Sequence, residues 1–116
     1  GGPLARQQAV AHRIADLATQ LEAARMLVYA AAAAYDAGDR PQDQTRRSAM
    51  AKLFATEAAQ EIIDGCVQLH GAVALRGGHL LERLYRDVRS LRIYEGASEI
   101  QRTIIARELI GMDATR

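Results

Sequence analysis

Tyr94-Glu95-Gly96-Ala97-Ser98 sets a carboxylate between an aromatic ring and a glycine, just ahead of a helix start. Ser98 with Gln101 three residues on has the form of a capping box, which predicts a helix beginning near Ser98. Glu95 then belongs to a non-helical linker beside unpaired backbone N–H groups and the positive end of a helix dipole. Gly96 can take backbone angles closed to other residues and lets a ligand come close to the main chain. A carboxylate so placed can accept a proton while the neighbouring N–H donors polarise a carbonyl. The plainer alternative is a glutamate that only complements the dipole, and this pattern alone does not decide between them.

Three other residues invite a chemical reading. Cys66 and His70 lie four apart on one helical face and His79 follows. A zinc site needs three or four ligands in fixed geometry, so no metal is expected, and His70 is assigned a packing or hydrogen-bonding role at a helix end. Arginines are dense between Arg76 and Arg107, but a formal net charge of +1 gives no electrostatic case for nucleic acid. They are read as pairing with the acids among them, Glu82 with Arg86 and Arg83 with Asp87.

The elements that must position these residues are helices. Alanine and leucine dominate, there is one phenylalanine and no tryptophan, and 116 residues make one domain but not two. Val10, Ile14, Leu17, Leu21, Ala24 and Val28 recur at four- and three-residue steps and predict a long helix over 5–37. Gly38 is its stop, Pro41 follows where it could not continue, and Ala30 to Ala34 suit a crowded bundle or subunit seam. A second long helix is predicted over 43–70, with Asp43 as N-cap, Met50, Phe54, Ala58, Ile62 and Leu69 as its buried face, and Gly71 as its end. Joined by a short loop, the two must run antiparallel. A short helix over 80–88 and a last one over 98–110, with Ile100, Ile104 and Leu109 inward and Gly111 as stop, complete the chain; the tail beyond is polar and read as frayed. The expected fold class is all-α, an antiparallel up-and-down bundle of two long and two shorter helices. The single cysteine excludes an internal disulfide, no apolar run is long enough to span a membrane, and the cytoplasm is the default location.

From Gln68 to Gly111 the chain reads QLHGAVALRGGHLLERLYRDVRSLRIYEGASEIQRTIIARELIG. This run, with Gly1-Gly2-Pro3-Leu4, Gln8-Ala9-Val10 and Glu22-Ala23-Ala24-Arg25, closely resembles the C-terminal helical domain of acyl-CoA dehydrogenases. The resemblance covers essentially the whole chain and implies FAD-dependent α,β-dehydrogenation of an acyl-CoA thioester. It implies that Glu95 abstracts the α-proton, and that the Glu95 backbone N–H helps to hold the thioester oxygen. Tyr94 and Gly96 are implied to line the mouth of the acyl pocket, Arg107 to meet the phosphates of CoA and Arg40 its adenine end. Gln68, His70, Gly71 and Ala72, with Gln8, resemble the contacts to the FAD of a neighbouring subunit, and Ala97 and Glu99 the positions that meet the adenosine half of FAD. The electron-transfer flavoprotein is the implied electron acceptor, and a homodimer or homotetramer through the long helices the implied assembly.

Two positions depart from the family pattern. Ala72 stands where a second glycine is usual, and Ala97 where a threonine is usual, removing one hydrogen bond worth about 1 kcal/mol. The family's amino-terminal helical domain and middle β-domain are absent from this chain, so by itself it is expected neither to hold FAD tightly nor to turn over substrate. An acyl-CoA oxidase carries the same residues, and a non-catalytic oligomerisation or interaction module of the same fold is the alternative to an enzyme.

Overall fold

The computed structural model describes residues 2–111. The described residues form four α-helices: α1 (Gln8–Asp36), α2 (Pro41–His70), α3 (Leu80–Ser90) and α4 (Ser98–Ile110). Short 3₁₀ turns at Leu4–Arg6 and Gly71–Leu75 precede α1 and follow α2. Among the described residues no helix is long and apolar enough to cross a membrane.

The long helices are antiparallel. Leu17 of α1 lies against Gly65 of α2, while Leu27 shares a cavity wall with Met50 and Leu53. The approach at Gly65 is close: a Cβ there would stand 2.9 Å from Leu17 Cδ1. α2 is the common neighbour, because α1, α3 and α4 each pack their backbones on it and not on one another. Glu82 of α3 lies level with Asp64 and Val67 of α2, and Arg92 with Glu57. Ser98 at the head of α4 also meets Glu57, and Ile105 reaches Met50 and Leu53. The two shorter helices are therefore laid end to end along α2, antiparallel to it, like one third helix broken at residues 91–97. Glu95 sits in the break.

This arrangement buries mostly small side chains. Leu17, Leu81 and five alanines of the helices, with Ala74, form the core. A hub with one-sided neighbours leaves much apolar surface uncovered, and several positions expected inside are outside for that reason. Phe54 is 39% exposed, Ile100 53% and Leu109 58%, and Ile14, Leu21 and Val28 of the α1 stripe are also exposed. Of the Ala30 to Ala34 run only Ala34 is buried.

Helix ends differ in two places from the sequence expectation. α2 begins at Pro41, whose fixed φ and missing N–H suit the first helical position, so proline opens this helix rather than only closing the last. Asp43 is accordingly inside the first turn; it pairs with Arg40 at 2.8 Å and Arg46 at 2.8 Å instead of capping. The Ser98–Gln101 capping box is not formed either, since α4 has no side-chain cap. Gly71 and Gly111 end α2 and α4 as expected. The tail after Gly111 lies outside the described residues. On α3, Glu82 and Arg86 form the anticipated ion pair, whereas Arg83 and Asp87 form none among the described residues.

Candidate functional site

The break between α3 and α4 is built by long-range polar contacts. Arg92 donates from Nε to Glu57 Oε1 at 2.9 Å and from its terminal nitrogen to Oε2 at 2.9 Å. The Ser98 hydroxyl donates to the same Oε1 at 2.5 Å, which is why it is unavailable as a cap. Burial opposes ionisation of Glu57 most strongly among single influences. The Ser98 hydroxyl, the Arg92 guanidinium and the charge of Arg102 together outweigh it and hold the carboxyl below the usual glutamate range. One carboxylate of α2 thus pins both the entry to the turn and the start of α4.

Within the turn, Glu95 and Gly96 are both left-handed, with φ of 53° and 87°. For glutamate this region costs about 1–2 kcal/mol, so the surroundings must impose it. They do so through main-chain oxygens. Gln101 Nε2 donates to Gly96 O at 3.1 Å and weakly to Glu95 O at 3.4 Å, and Lys52 Nζ donates to Gly96 O at 2.6 Å. Gln101 is only 7% exposed and packs so closely that a Cβ on Gly96 would lie 2.5 Å from its Nε2. Glycine at 96 is required by both conformation and space.

The Glu95 side chain is exposed, and among the described residues its carboxylate forms no ion pair or hydrogen bond. The backbone N–H groups of Glu95 and Gly96 likewise donate no hydrogen bond among the described residues. Tyr94, 51% exposed, stands beside it, and Ala97 and Glu99 flank the start of α4. These five positions, 94–97 and 99, form one cluster with a free carboxylate and free amide donors.

The other expected site residues lie elsewhere. Gln68, His70, Gly71 and Ala72 close α2 and Gln8 opens α1, all at one end of the pair, where Leu4 and Ala5 share a groove with Leu69 and His70. That end is about 24 Å along α2 from Lys52 and the Gly96 it holds. The side chains of Gln8 and Gln68 are exposed and make no hydrogen bond among the described residues, and at Gly71 the chain turns left-handed with open space around it. His70 Nδ1 donates to the Cys66 carbonyl oxygen at 2.8 Å, which is the helix-end role expected of it. Arg40 and Arg107 lie toward the opposite end. Arg40 stands at the head of α2 and is engaged with Asp43, while Arg107, in the last turn of α4, pairs with Glu108 at 2.9 Å. One chain does not gather these residues into a single pocket.

The family model described as acyl-CoA dehydrogenase, C-terminal domain, matches residues 1–110. The chain belongs to the acyl-CoA dehydrogenase family. Cyclohexane-1-carbonyl-CoA dehydrogenase of Geobacter metallireducens is 44% identical over 110 residues, covering 95% of this chain and 28% of that protein. The caffeyl-CoA reductase-Etf complex subunit CarC of Acetobacterium woodii is 42% identical, with 95% and 28% covered. Among solved structures, butyryl-CoA dehydrogenase from Megasphaera elsdenii superposes with a TM-score of 0.89 at 33% identity, over 94% of this chain and 28% of that one. The acyl-CoA dehydrogenase-like chain thus spans about 28% of the length of these relatives, and its four-helix unit is the family's C-terminal domain.

Lys52, Glu57 and Arg92 are not singled out by the sequence, and Gln101 enters there only as a capping-box partner of Ser98. A signal existed for Lys52, the one charge in Ala49-Met50-Ala51-Lys52-Leu53-Phe54, flanked by buried alanines. Such a lysine needs a partner. For Glu57 no local signal exists, because its partners are 35 and 41 residues away.

Proposed function

We propose that this chain supplies the proton-abstracting half of an FAD-dependent acyl-CoA oxidoreductase, with Glu95 as the base. The observation that carries this reading is the strained, externally braced turn that leaves the Glu95 carboxylate exposed and unpartnered. A residue held in a costly conformation by a neighbour's side chains is the kind of strain found at functional sites. Glu95 takes the α-proton of the thioester, and the free N–H groups of the turn and the first turn of α4 stabilise the charge that develops on the thioester oxygen. FAD, when bound, would supply the two-electron oxidant that takes up the β-hydrogen as hydride, leaving the substrate as the 2-enoyl thioester.

Uncommitted amides at Gln8 and Gln68 and the open main chain at Gly71 fit a cofactor contact, with His70 and Ala72 beside them. Their separation from Glu95 supports the view that they serve the FAD of a neighbouring subunit, while Ala97 and Glu99 serve the adenosine half of the cofactor nearer Glu95. Tyr94 and Gly96 line the acyl entrance; Arg107 and Arg40 lie on the way to the CoA phosphates and adenine, and each must exchange an exposed ion pair for them. The uncovered apolar faces of the long helices support assembly with further domains and copies, as a homodimer or homotetramer. The name of the Acetobacterium relative, which includes an Etf complex, supports an electron-transfer flavoprotein as redox partner.

That relative also favours a second direction. Run in reverse, protonated Glu95 delivers its proton to the α-carbon and the protein is an enoyl-CoA reductase. Glu95→Gln in the full FAD-loaded protein tests both directions: turnover falls at least 100-fold with FAD content unchanged. Retained activity places the base elsewhere. The 116-residue chain alone, mixed with FAD and an acyl-CoA, leaves the flavin absorbance unbleached.

A further inference from the structure

Lys52 uses its charge in an unusual way. It is half-buried on α2, between buried Ala49, Ala51 and Ala58, and among the described residues it forms no ion pair. Glu57, the carboxylate of the next turn, is committed to Arg92 and Ser98. The ammonium instead donates to a neutral acceptor, Gly96 O, at 2.6 Å, joining positions 44 residues apart. Desolvating an ammonium for a backbone carbonyl is costly unless that carbonyl must be held. Gly96 O is also the oxygen to which Gln101 donates. It follows directly on Glu95, whose left-handed φ nothing in its own side chain enforces.

We infer that Lys52 is a positioning residue for Glu95: by clamping the Gly96 carbonyl to α2, it keeps the left-handed turn in the one conformation that presents the carboxylate to substrate. The clamp is charge-assisted, and hence stronger and shorter than the Gln101 bond to the same oxygen. Gln101 belongs to α4 and moves with the turn, whereas Lys52 belongs to the central helix and ties the turn to the rest of the fold. This inference rests on Glu95 being the base.

The test uses the full FAD-loaded protein with the substitutions Lys52→Met, Lys52→Arg and Glu95→Gln. In Lys52→Met, kcat falls about 10- to 100-fold, the loss expected when a reacting group is displaced by an ångström or so. KM stays within about threefold, since the substrate's own contacts are untouched. With α-deuterated acyl-CoA the isotope effect on kcat rises, because proton abstraction now limits turnover. Amide hydrogen exchange over residues 94–101 accelerates while FAD content stays the same. Lys52→Arg, which keeps charge and donor, recovers part of the rate. Wild-type kcat and isotope effect in Lys52→Met, even with faster exchange, overturn the inference and leave Lys52 a structural tie. If Glu95→Gln is itself active, it is the assignment of the base that fails. If Lys52→Met does not fold, Lys52→Gln, with an uncharged donor, is judged by the same kcat and isotope criteria.

Discussion

The two halves of α2 are held by different physics. Around Lys52 and Glu57 the neighbouring segments are tied by directional bonds: an ammonium on a carbonyl, a guanidinium and a hydroxyl on one carboxylate. Around Gly65 the contact with α1 depends mainly on shape, with the Leu17 methyls and the Arg13 guanidinium lying over a missing side chain, and the one nearby ion pair, Arg13 with Glu61, is exposed and long at 3.8 Å. Hydrogen bonds fix orientation and fail abruptly when a partner is lost. Packing fixes proximity and fails in proportion to the volume changed. The turn that carries Glu95 is built on the first kind of support, and the long-helix seam on the second.

Removing Glu57 tests the directional half and carries the largest expected cost. Glu57→Leu leaves the Arg92 guanidinium and the buried Ser98 hydroxyl without their acceptor. Bonds to charged groups contribute about 1.5–3 kcal/mol each, and with Glu57 and Arg92 each about one-third exposed the net loss should be about 2–3 kcal/mol. Urea unfolding of the chain measures it. A loss under 0.5 kcal/mol, on the scale of an exposed pair, would show that the tie is replaced by water.

The packed half is expected to yield more gradually. Gly65→Ala places a Cβ 2.9 Å from the movable end of Leu17, while alanine gains up to about 1 kcal/mol in helix propensity, so the two nearly cancel. Gly65→Val adds volume that Leu17 cannot clear and should cost about 1–2 kcal/mol. The graded series, read from the same unfolding midpoints, distinguishes a shape contact from a switch. Equal losses for alanine and valine would mean that the backbone at Gly65 matters more than the space.

How much of this was legible depends on the reach of each interaction. Helix ends at Gly71 and Gly111 were readable because a cap is a local event. Glu95 stood out for the same reason, its suspicion resting on three adjacent residues. Ser98 does not cap because its hydroxyl answers to Glu57, far away in sequence, and no local rule outranks a half-buried carboxylate that takes its donor. Asp43 was misread because a proline two residues earlier can open a helix as well as end one. Ile100 and Leu109 follow an inward helical period yet lie outside, since α4 packs on α2 alone, and Phe54, on α2 itself, is only partly covered by its neighbours. The contacts implied for Gln8, Gln68 and Ala72 came from resemblance alone, as nothing in an exposed glutamine or alanine announces a cofactor.

Acid offers a smaller perturbation of the directional half. The Glu57 carboxyl is held below the usual glutamate range when folded, so the unfolded chain binds its proton first as pH falls. Its contribution is complete above about pH 4.3, the ordinary glutamate value, and is lost as pH drops from there through the folded value. Asp43, lowered chiefly by its hydrogen bond from Arg40, acts with the same sign. Glu57→Gln should therefore flatten, without abolishing, the fall in stability on acidification. An unchanged slope would assign the acid sensitivity to other carboxylates.

The smallest effect belongs to a polar contact that positions nothing. Glu82 and Arg86 pair one turn apart on α3, with the arginine 81% exposed and the acid N-terminal to it, the favourable order on a helix. Arg86→Ala removes the pair but also places the best helix former on an exposed face. The net change should lie within about 0.5 kcal/mol and shrink further in high salt. Glu57→Leu should retain most of its cost under the same salt, because its partners are bound by geometry as well as by charge. If the two substitutions respond alike, the bracing of the Glu95 turn is ordinary surface electrostatics, and the contrast between the halves of α2 disappears.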